Sequence, residues 1–271
     1  MLETKKLLKN AMSRVDAVLE ILDARLPHAS SNPLLDQLCK ETFRLKVLNK
    51  SDLADPESTQ KWIDFFEQSN HTPAVSICGT QPEPVKTALD YCTDQIRRNR
   101  ARKIKIMVVG IPNTGKSTIL NSLAGKKIAK TGNVPAVTRH QQRTSLADNI
   151  DIYDTPGILW PLIEPRKRAY LLAASGAISD TAIDYTDLAI FIAPFLIHTY
   201  PDLLNKRYPF LRSVPQTGTE LIERIGAARG CLKKGGQVDL QKASEVLIRE
   251  LRAGKIGPIS FETPEDIDYE P

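Results

Sequence analysis

The chain reads as an α/β protein, a doubly wound parallel sheet followed by a small all-helical domain. Three observations predict this. Apolar runs of strand length alternate with amphipathic patterns up to residue 154, a glycine-rich loop sits between such a run and a helical segment, and strand patterns become scarce after Gly157. The 271 residues suit about two domains.

The elements follow in order. A polar helix is expected near 3–13, an apolar run follows over Val15–Leu22, then a short helix after Asn32-Pro33 and a buried strand over Arg44–Leu48. Asp55-Pro56-Glu57 opens a helix running to about Ser69, Ala74–Ile77 reads as a strand, and 84–100 as a helix. Ile104–Val109 is a continuous apolar run, 116–123 a helix, and strands near 142–146 and 150–153 bracket a turn at Asp148-Asn149. Beyond these, 164–207 and 217–253 read as helices broken by Pro194, Pro201, Pro209 and Pro215, with Lys233-Lys234-Gly235-Gly236 as a turn. The expected boundaries are a first domain over 1–170, a helical domain over 171–260, and a flexible tail over 261–271 rich in Glu, Asp and Pro.

Composition narrows the function classes. With 41% hydrophobic and 25% charged residues and no apolar run approaching the roughly 18 residues of a membrane span, a cytoplasmic protein away from membranes is expected. Cys39, Cys78, Cys92 and Cys231 lie far apart without zinc spacing and read as reduced thiols. The net charge of +5 is compatible with a nucleic-acid partner.

Gly110-Ile111-Pro112-Asn113-Thr114-Gly115-Lys116-Ser117-Thr118 follows a strand and opens a helix, the context a phosphate loop requires. Its N–H groups and the helix N-terminus face phosphates, Lys116 reaches the β- and γ-phosphates, and Ser117 serves Mg²⁺. Asp154-Thr155-Pro156-Gly157 ends an apolar strand, so Asp154 is a second Mg²⁺ residue and the Gly157 N–H a γ-phosphate sensor. Thr138 stands between loop and strand at the distance of a first-switch threonine that completes the Mg²⁺ shell. Catalysis is therefore placed on Lys116, Thr138 and Gly157.

Asn49-Lys50-Ser51-Asp52 follows a strand, and the Asp52 carboxylate can accept from both guanine N1–H and the exocyclic amine, a pairing adenine cannot match. Ser76 and Ile77, in Val75-Ser76-Ile77-Cys78, form the candidate fifth motif, with Ile77 where alanine is usual. The base-reading motif comes about sixty residues before the phosphate loop, whereas it comes last in ordinary GTPases. The order implies a circularly permuted, doubly wound P-loop GTPase domain binding GTP and GDP, followed by a small all-α C-terminal domain.

These residues resemble the circularly permuted ribosome biogenesis GTPase A (YlqF-like) family over nearly the whole chain. The likeness includes Asp23-Ala24-Arg25-Leu26-Pro27 with Ser31-Asn32-Pro33, the motifs above, Gln141-Gln142, Ile158-Leu159-Trp160-Pro161, Gly176-Ala177-Ile178, Arg229-Gly230-Cys231-Leu232 and Arg249-Glu250-Leu251-Arg252. It implies GTP hydrolysis coupled to late assembly of the large ribosomal subunit, with the helical domain on ribosomal RNA. Off the ribosome a monomer is expected. The family's aromatic-proline-glycine-histidine-methionine segment is not among these residues, so no histidine from it is carried over. His140 reads as a solvated switch residue.

Two positions bear on mechanism. Ile158 stands where many small GTPases carry a water-orienting glutamine, so turnover is expected to be slow alone and stimulated by the ribosome. Asn113 stands where potassium-dependent relatives use asparagine, making it a candidate K⁺ residue in place of an arginine finger. Basic residues gather at Arg97–Lys103 and across Arg224, Arg229, Lys233, Lys234 and Lys242, the latter set being the candidate RNA surface. Rival readings are a GTP-binding RNA factor that does not hydrolyse, and a small-subunit assembly GTPase.

Overall fold

The computed structural model describes residues 12–39, 42–69, 71–96, 103–125, 142–147, 150–154 and 166–269. The expected turn at 148–149, the first helix up to residue 11, Thr138, His140, Gly157, Ile158 and the 97–102 part of the first basic cluster lie outside them.

Two compact units emerge, residues 1–163 with 260–271, and residues 164–259. The sequence predicts that the chain divides at 170/171, with a tail from 261. The contacts divide it at 163/164 and return the C-terminal segment to the first unit.

The first unit is built on strands β1 (Ala17–Asp23), β2 (Phe43–Asn49), β3 (Ala74–Ile77), β4 (Ile104–Val109), β5 (Gln142–Ala147) and β6 (Ile150–Asp154) in the order β3-β2-β1-β4-β6-β5. All neighbours are parallel except β5 and β6. Its helices are α1 (Pro27–Ser30), α2 (Pro33–Leu38), α3 (Pro56–Ser69), α4 (Pro82–Ile96) and α5 (Lys116–Ala124).

Alternation along each strand sends side chains to both faces, and both are covered, as a parallel sheet requires. Ala17, Leu19 and Ile21 join Leu45, Val47, Ile106 and Val108 in a core with α4 and α5. On the other face Val18, Met107 and Val109 pack with Leu35 of α2, and Leu22 and Leu48 with Trp62 and Phe66 of α3. Asp55 starts α3 by accepting from the Ser58 N–H at 2.9 Å.

This second face also holds an ion pair. Lys46 Nζ donates to Glu20 at 2.9 Å, and Glu20 further accepts from Ser31 Oγ at 3.0 Å and the Asn32 N–H at 3.2 Å. The Lys46 ammonium lies 4.7 Å from the Phe66 ring centroid. Both charged residues are fully enclosed.

The second unit is all helical, with α6 (Arg166–Ser175), α7 (Tyr185–Thr199), α8 (Pro201–Arg207), α9 (Gly218–Ala228) and α10 (Leu240–Arg252). Leu188, Ile192 and Leu196 of α7 are buried, as are Leu221 and Ile225 of α9 and Leu247 and Leu251 of α10, and these three helices pack together. Pro201 opens α8 as expected of proline at a first turn, but Pro194 lies inside α7 without ending it. Packing of Ile192, Ala193, Leu196 and Ile197 holds the helix through that position. No single described helix is long and apolar enough to cross a membrane.

Candidate functional site

In a parallel doubly wound sheet, ligands meet the carboxyl ends of the strands. Asn49 ends β2, Ile77 ends β3, Gly110 follows β4 and Asp154 ends β6. The predicted motifs, far apart in sequence, therefore share one edge of the sheet.

Asn49 joins three of them. Its buried amide donates from Nδ2 to the Thr114 carbonyl at 2.7 Å and accepts at Oδ1 from the Gly79 N–H at 2.8 Å. The base-reading motif, the phosphate loop and the loop after β3 are thus pinned to one side chain. Gly115 has φ 95°, and a Cβ there would lie 2.1 Å from Asn49 Nδ2. Any other residue would be strained and would displace that amide. Gly110 is likewise required, since an added Cβ would stand 2.5 Å from the Ile21 carbonyl oxygen of β1.

Lys116 opens α5 and is largely buried. Its Nζ donates to the Gly110 and Ile111 carbonyls at 3.0 and 2.7 Å. Burial pushes its pKa down to about 8, with Asp154 opposing. Burial lifts Asp154 to about 6, with Lys116 opposing. Each stabilises the charged form of the other across the point where phosphates are expected.

Asp154 Oδ1 is buried and has no hydrogen-bond partner among the described residues. A hard cation takes oxygen ligands, so a carboxylate oxygen in this position suits Mg²⁺. Ser117 and Thr118 are half-buried on the first turn of α5. Asn113 has φ 61°, a left-handed conformation that asparagine tolerates better than most residues. Thr114 is buried and donates from Oγ1 to the Ile111 carbonyl at 3.1 Å.

Ser76 is exposed, whereas the Ile77 side chain belongs to the sheet core. Only the main chain of Ile77 is left to meet a ligand. Asp52 is exposed within a short 3₁₀ turn, Ser51–Leu53, and Lys50 before it adopts φ 63°.

The residues that hold Lys50 carried no assigned role in the sequence. Asp23, at the end of β1, accepts at Oδ2 from Lys50 Nζ at 2.8 Å and from Arg25 Nη2 at 2.8 Å, with Arg25 Nε on Oδ1 at 2.9 Å. The signal was the Asp23-Ala24-Arg25-Leu26-Pro27 stretch itself. Burial works to raise the Asp23 pKa, yet Arg25 and Lys50 outweigh it and hold the carboxyl well below the usual carboxylate range. An acid depressed in the folded state contributes stability that is complete above its unfolded pKa, near 4, and lost as pH falls below it. Asp23→Asn should therefore lower the urea midpoint at pH 7 while flattening its decline between pH 4 and pH 2. An unchanged acid profile would remove Asp23 from the account.

The candidate RNA residues divide. Arg224 donates to the Leu211 and Ser213 carbonyls at 2.9 and 3.0 Å and is paired with Glu220. Arg229 reaches Glu250 at 3.1 Å, a carboxylate that also holds Arg207 and Tyr208. Both arginines brace the helical unit. Lys233 and Lys234 are exposed on the turn between α9 and α10, and Lys242 stands 3.5 Å from Asp239 on the surface.

Comparison with known proteins points to one family. The family model described as "50S ribosome-binding GTPase" matches residues 105–208. Ribosome biogenesis GTPase A of Bacillus cereus is 40% identical over 275 residues, covering 98% of this chain and 92% of its own. That of Thermotoga maritima is 36% identical, covering 98% and 92%. Among solved structures, "GDP-bound structue of TM YlqF" has a TM-score of 0.71 at 30% identity, covering 96% of this chain and 100% of that one. GNP-bound YlqF from T. maritima has a TM-score of 0.70 at 29% identity, with coverage of 97% and 99%.

Proposed function

The chain belongs to the ribosome biogenesis GTPase A family, and from that premise we propose that it binds a maturing large ribosomal subunit and uses GTP hydrolysis to time its release. The observation that carries the nucleotide part is the Asn49 amide, which brings the base-reading motif, the phosphate loop and the loop after β3 to one place. The matching family, described as a 50S ribosome-binding GTPase, supports the large rather than the small subunit.

In this reading Asp52 reads guanine, Ser76 and Ile77 border the base, and Asn113, Thr114, Gly115, Ser117 and Thr118 line the phosphates with Lys50 and Asn49 behind them. The Lys116 ammonium moves from two loop carbonyls to the β- and γ-phosphate oxygens, which are charged and therefore stronger acceptors. Ser117, Asp154 and Thr138 would hold Mg²⁺, which supplies positive charge to the β- and γ-phosphates. Asn113 would contribute to a K⁺ site, adding charge that neutralises the developing transition state.

The Gly157 N–H follows the γ-phosphate and passes its loss along the chain to the helical unit that begins at residue 164. That unit carries fourteen Lys and Arg against ten Asp and Glu over residues 164–259, so +4 of the chain's +5 lies there. Lys233, Lys234 and Lys242 are exposed and in this reading would meet RNA phosphates. The protein works in the cytoplasm as a monomer when off the ribosome.

Sedimentation through sucrose tests the cycle. Loaded with a non-hydrolysable GTP analogue, the protein should pellet with separated large subunits and not with small ones, and loaded with GDP it should stay in the supernatant. Pelleting with small subunits, or equally in both nucleotide states, would sink the proposal.

A further inference from the structure

The C-terminal segment returns to the first unit as a strap on the base-reading loop. The Phe261 N–H donates to the Arg25 carbonyl at 2.7 Å, and Phe261 is buried. The Glu262 carboxylate, 6% exposed, accepts from the His28 and Ala29 N–H groups that open α1. Trp62 Nε1 donates to the Glu262 carbonyl at 3.1 Å, and the Asp55 N–H donates to Ser260 Oγ at 3.2 Å. Further on, Ile267 packs into the cluster of Leu48, Ala54, Trp62 and Phe66.

These contacts converge on the two ends of one loop. On the entry side, the segment the strap holds is the one that holds Asn49 and Lys50. The Ala24 N–H donates to the Asn49 carbonyl at 2.8 Å, and Asp23 grips Lys50. On the exit side, Ser260 holds Asp55, three residues past Asp52. Leu48 and Ala54, which flank the loop in sequence, share a hydrophobic cluster with Ile267. A carboxylate buried as deeply as Glu262 is costly unless bonded, and it bonds the His28 and Ala29 N–H groups, in the segment that follows Asp23 and Arg25.

We propose that the strap, through Ser260, Phe261 and Glu262, is a positioning element that sets the geometry of Asn49–Ala54 and with it the discrimination for guanine. None of its residues belongs to the base-reading motif or the phosphate loop. They act through the Asp23–Ala29 segment and Asp55, fixing where the Asp52 carboxylate stands relative to the base. The inference rests on the guanine-nucleotide reading of the site.

Binding of guanosine diphosphate and inosine diphosphate, followed by calorimetry, tests it. Inosine lacks the exocyclic amine, so a correctly placed Asp52 should favour the guanine nucleotide roughly tenfold or more. Glu262→Ala should lose most of that ratio, and Glu262→Gln, which keeps an acceptor oxygen, should retain it. A fall in both affinities at an unchanged ratio would overturn the proposal, since a merely stabilising strap predicts that. If Glu262→Ala does not fold, Ser260→Ala carries the same test, with a reduced ratio supporting the proposal and an unchanged one overturning it. Failure of the unaltered protein to bind either nucleotide would instead overturn the guanine-nucleotide reading beneath it.

Discussion

Lys116→Ala should lower GTP turnover by about two to three orders of magnitude, the loss seen when one preorganised donor to a developing charge is removed. The side chain is well placed to have that effect. It sits on the first turn of α5, its ammonium is held by the Gly110 and Ile111 carbonyls, and burial has stripped most of its water. A charge already desolvated and already oriented needs little reorganisation when the phosphate charge shifts. The substitution also leaves Asp154 without its cationic neighbour, so the carboxyl should rise further above about 6. Single-turnover phosphate release at saturating GTP reads the effect directly. Turnover equal to the unaltered protein would mean that this loop is not where hydrolysis occurs.

The largest effect on stability is expected at the enclosed ion pair of the sheet. Lys46→Ala should destabilise the first unit by about 3–5 kcal/mol, because it leaves the Glu20 carboxylate buried without its ammonium. Ser31 and the Asn32 N–H remain as donors and the Arg44 guanidinium stays 3.6 Å from the carboxylate, which keeps the loss toward the lower end. Replacing both charges, Glu20→Gln with Lys46→Met, should recover much of the loss, since the cost lies in the orphaned charge. Urea unfolding of the single and double variants distinguishes these outcomes. If the double variant is no better than Lys46→Ala, the pair contributes by packing, through the Lys46 contact with Phe66, and not by charge.

Much of this architecture was legible because the sheet is buried on both faces. Ile104–Val109 and Ala74–Ile77 stand out as apolar runs, and the structure gives both strands those same limits. Helix α1 was not legible. It is a single turn, too short for any periodicity, and Glu262, 233 residues further on, bonds its first N–H groups. The segment after Phe261 looked like a frayed tail from its Glu, Asp and Pro content, while Phe261 and Ile267 provide the apolar anchors that composition averages away.

The site shows the same division. Each motif is local and could be read from spacing, but what locks the motifs together is not local. Asn49 meets Thr114 across 65 residues and Gly79 across 30, and Lys50 meets Asp23 across 27. Arg224 and Arg229 show the converse. As basic residues in a helical sequence they look available to RNA, and only the fold reveals Leu211, Ser213 and Glu250 as their partners.

The most direct test of the central claim is GTP turnover with large subunits, with small subunits and with neither, each in potassium and in sodium buffer. Hydrolysis should be slow alone and accelerated only by large subunits, with the acceleration reduced in sodium. Equal turnover in all three mixtures, or acceleration by small subunits, would contradict an assembly factor that uses GTP to time its release from the large subunit.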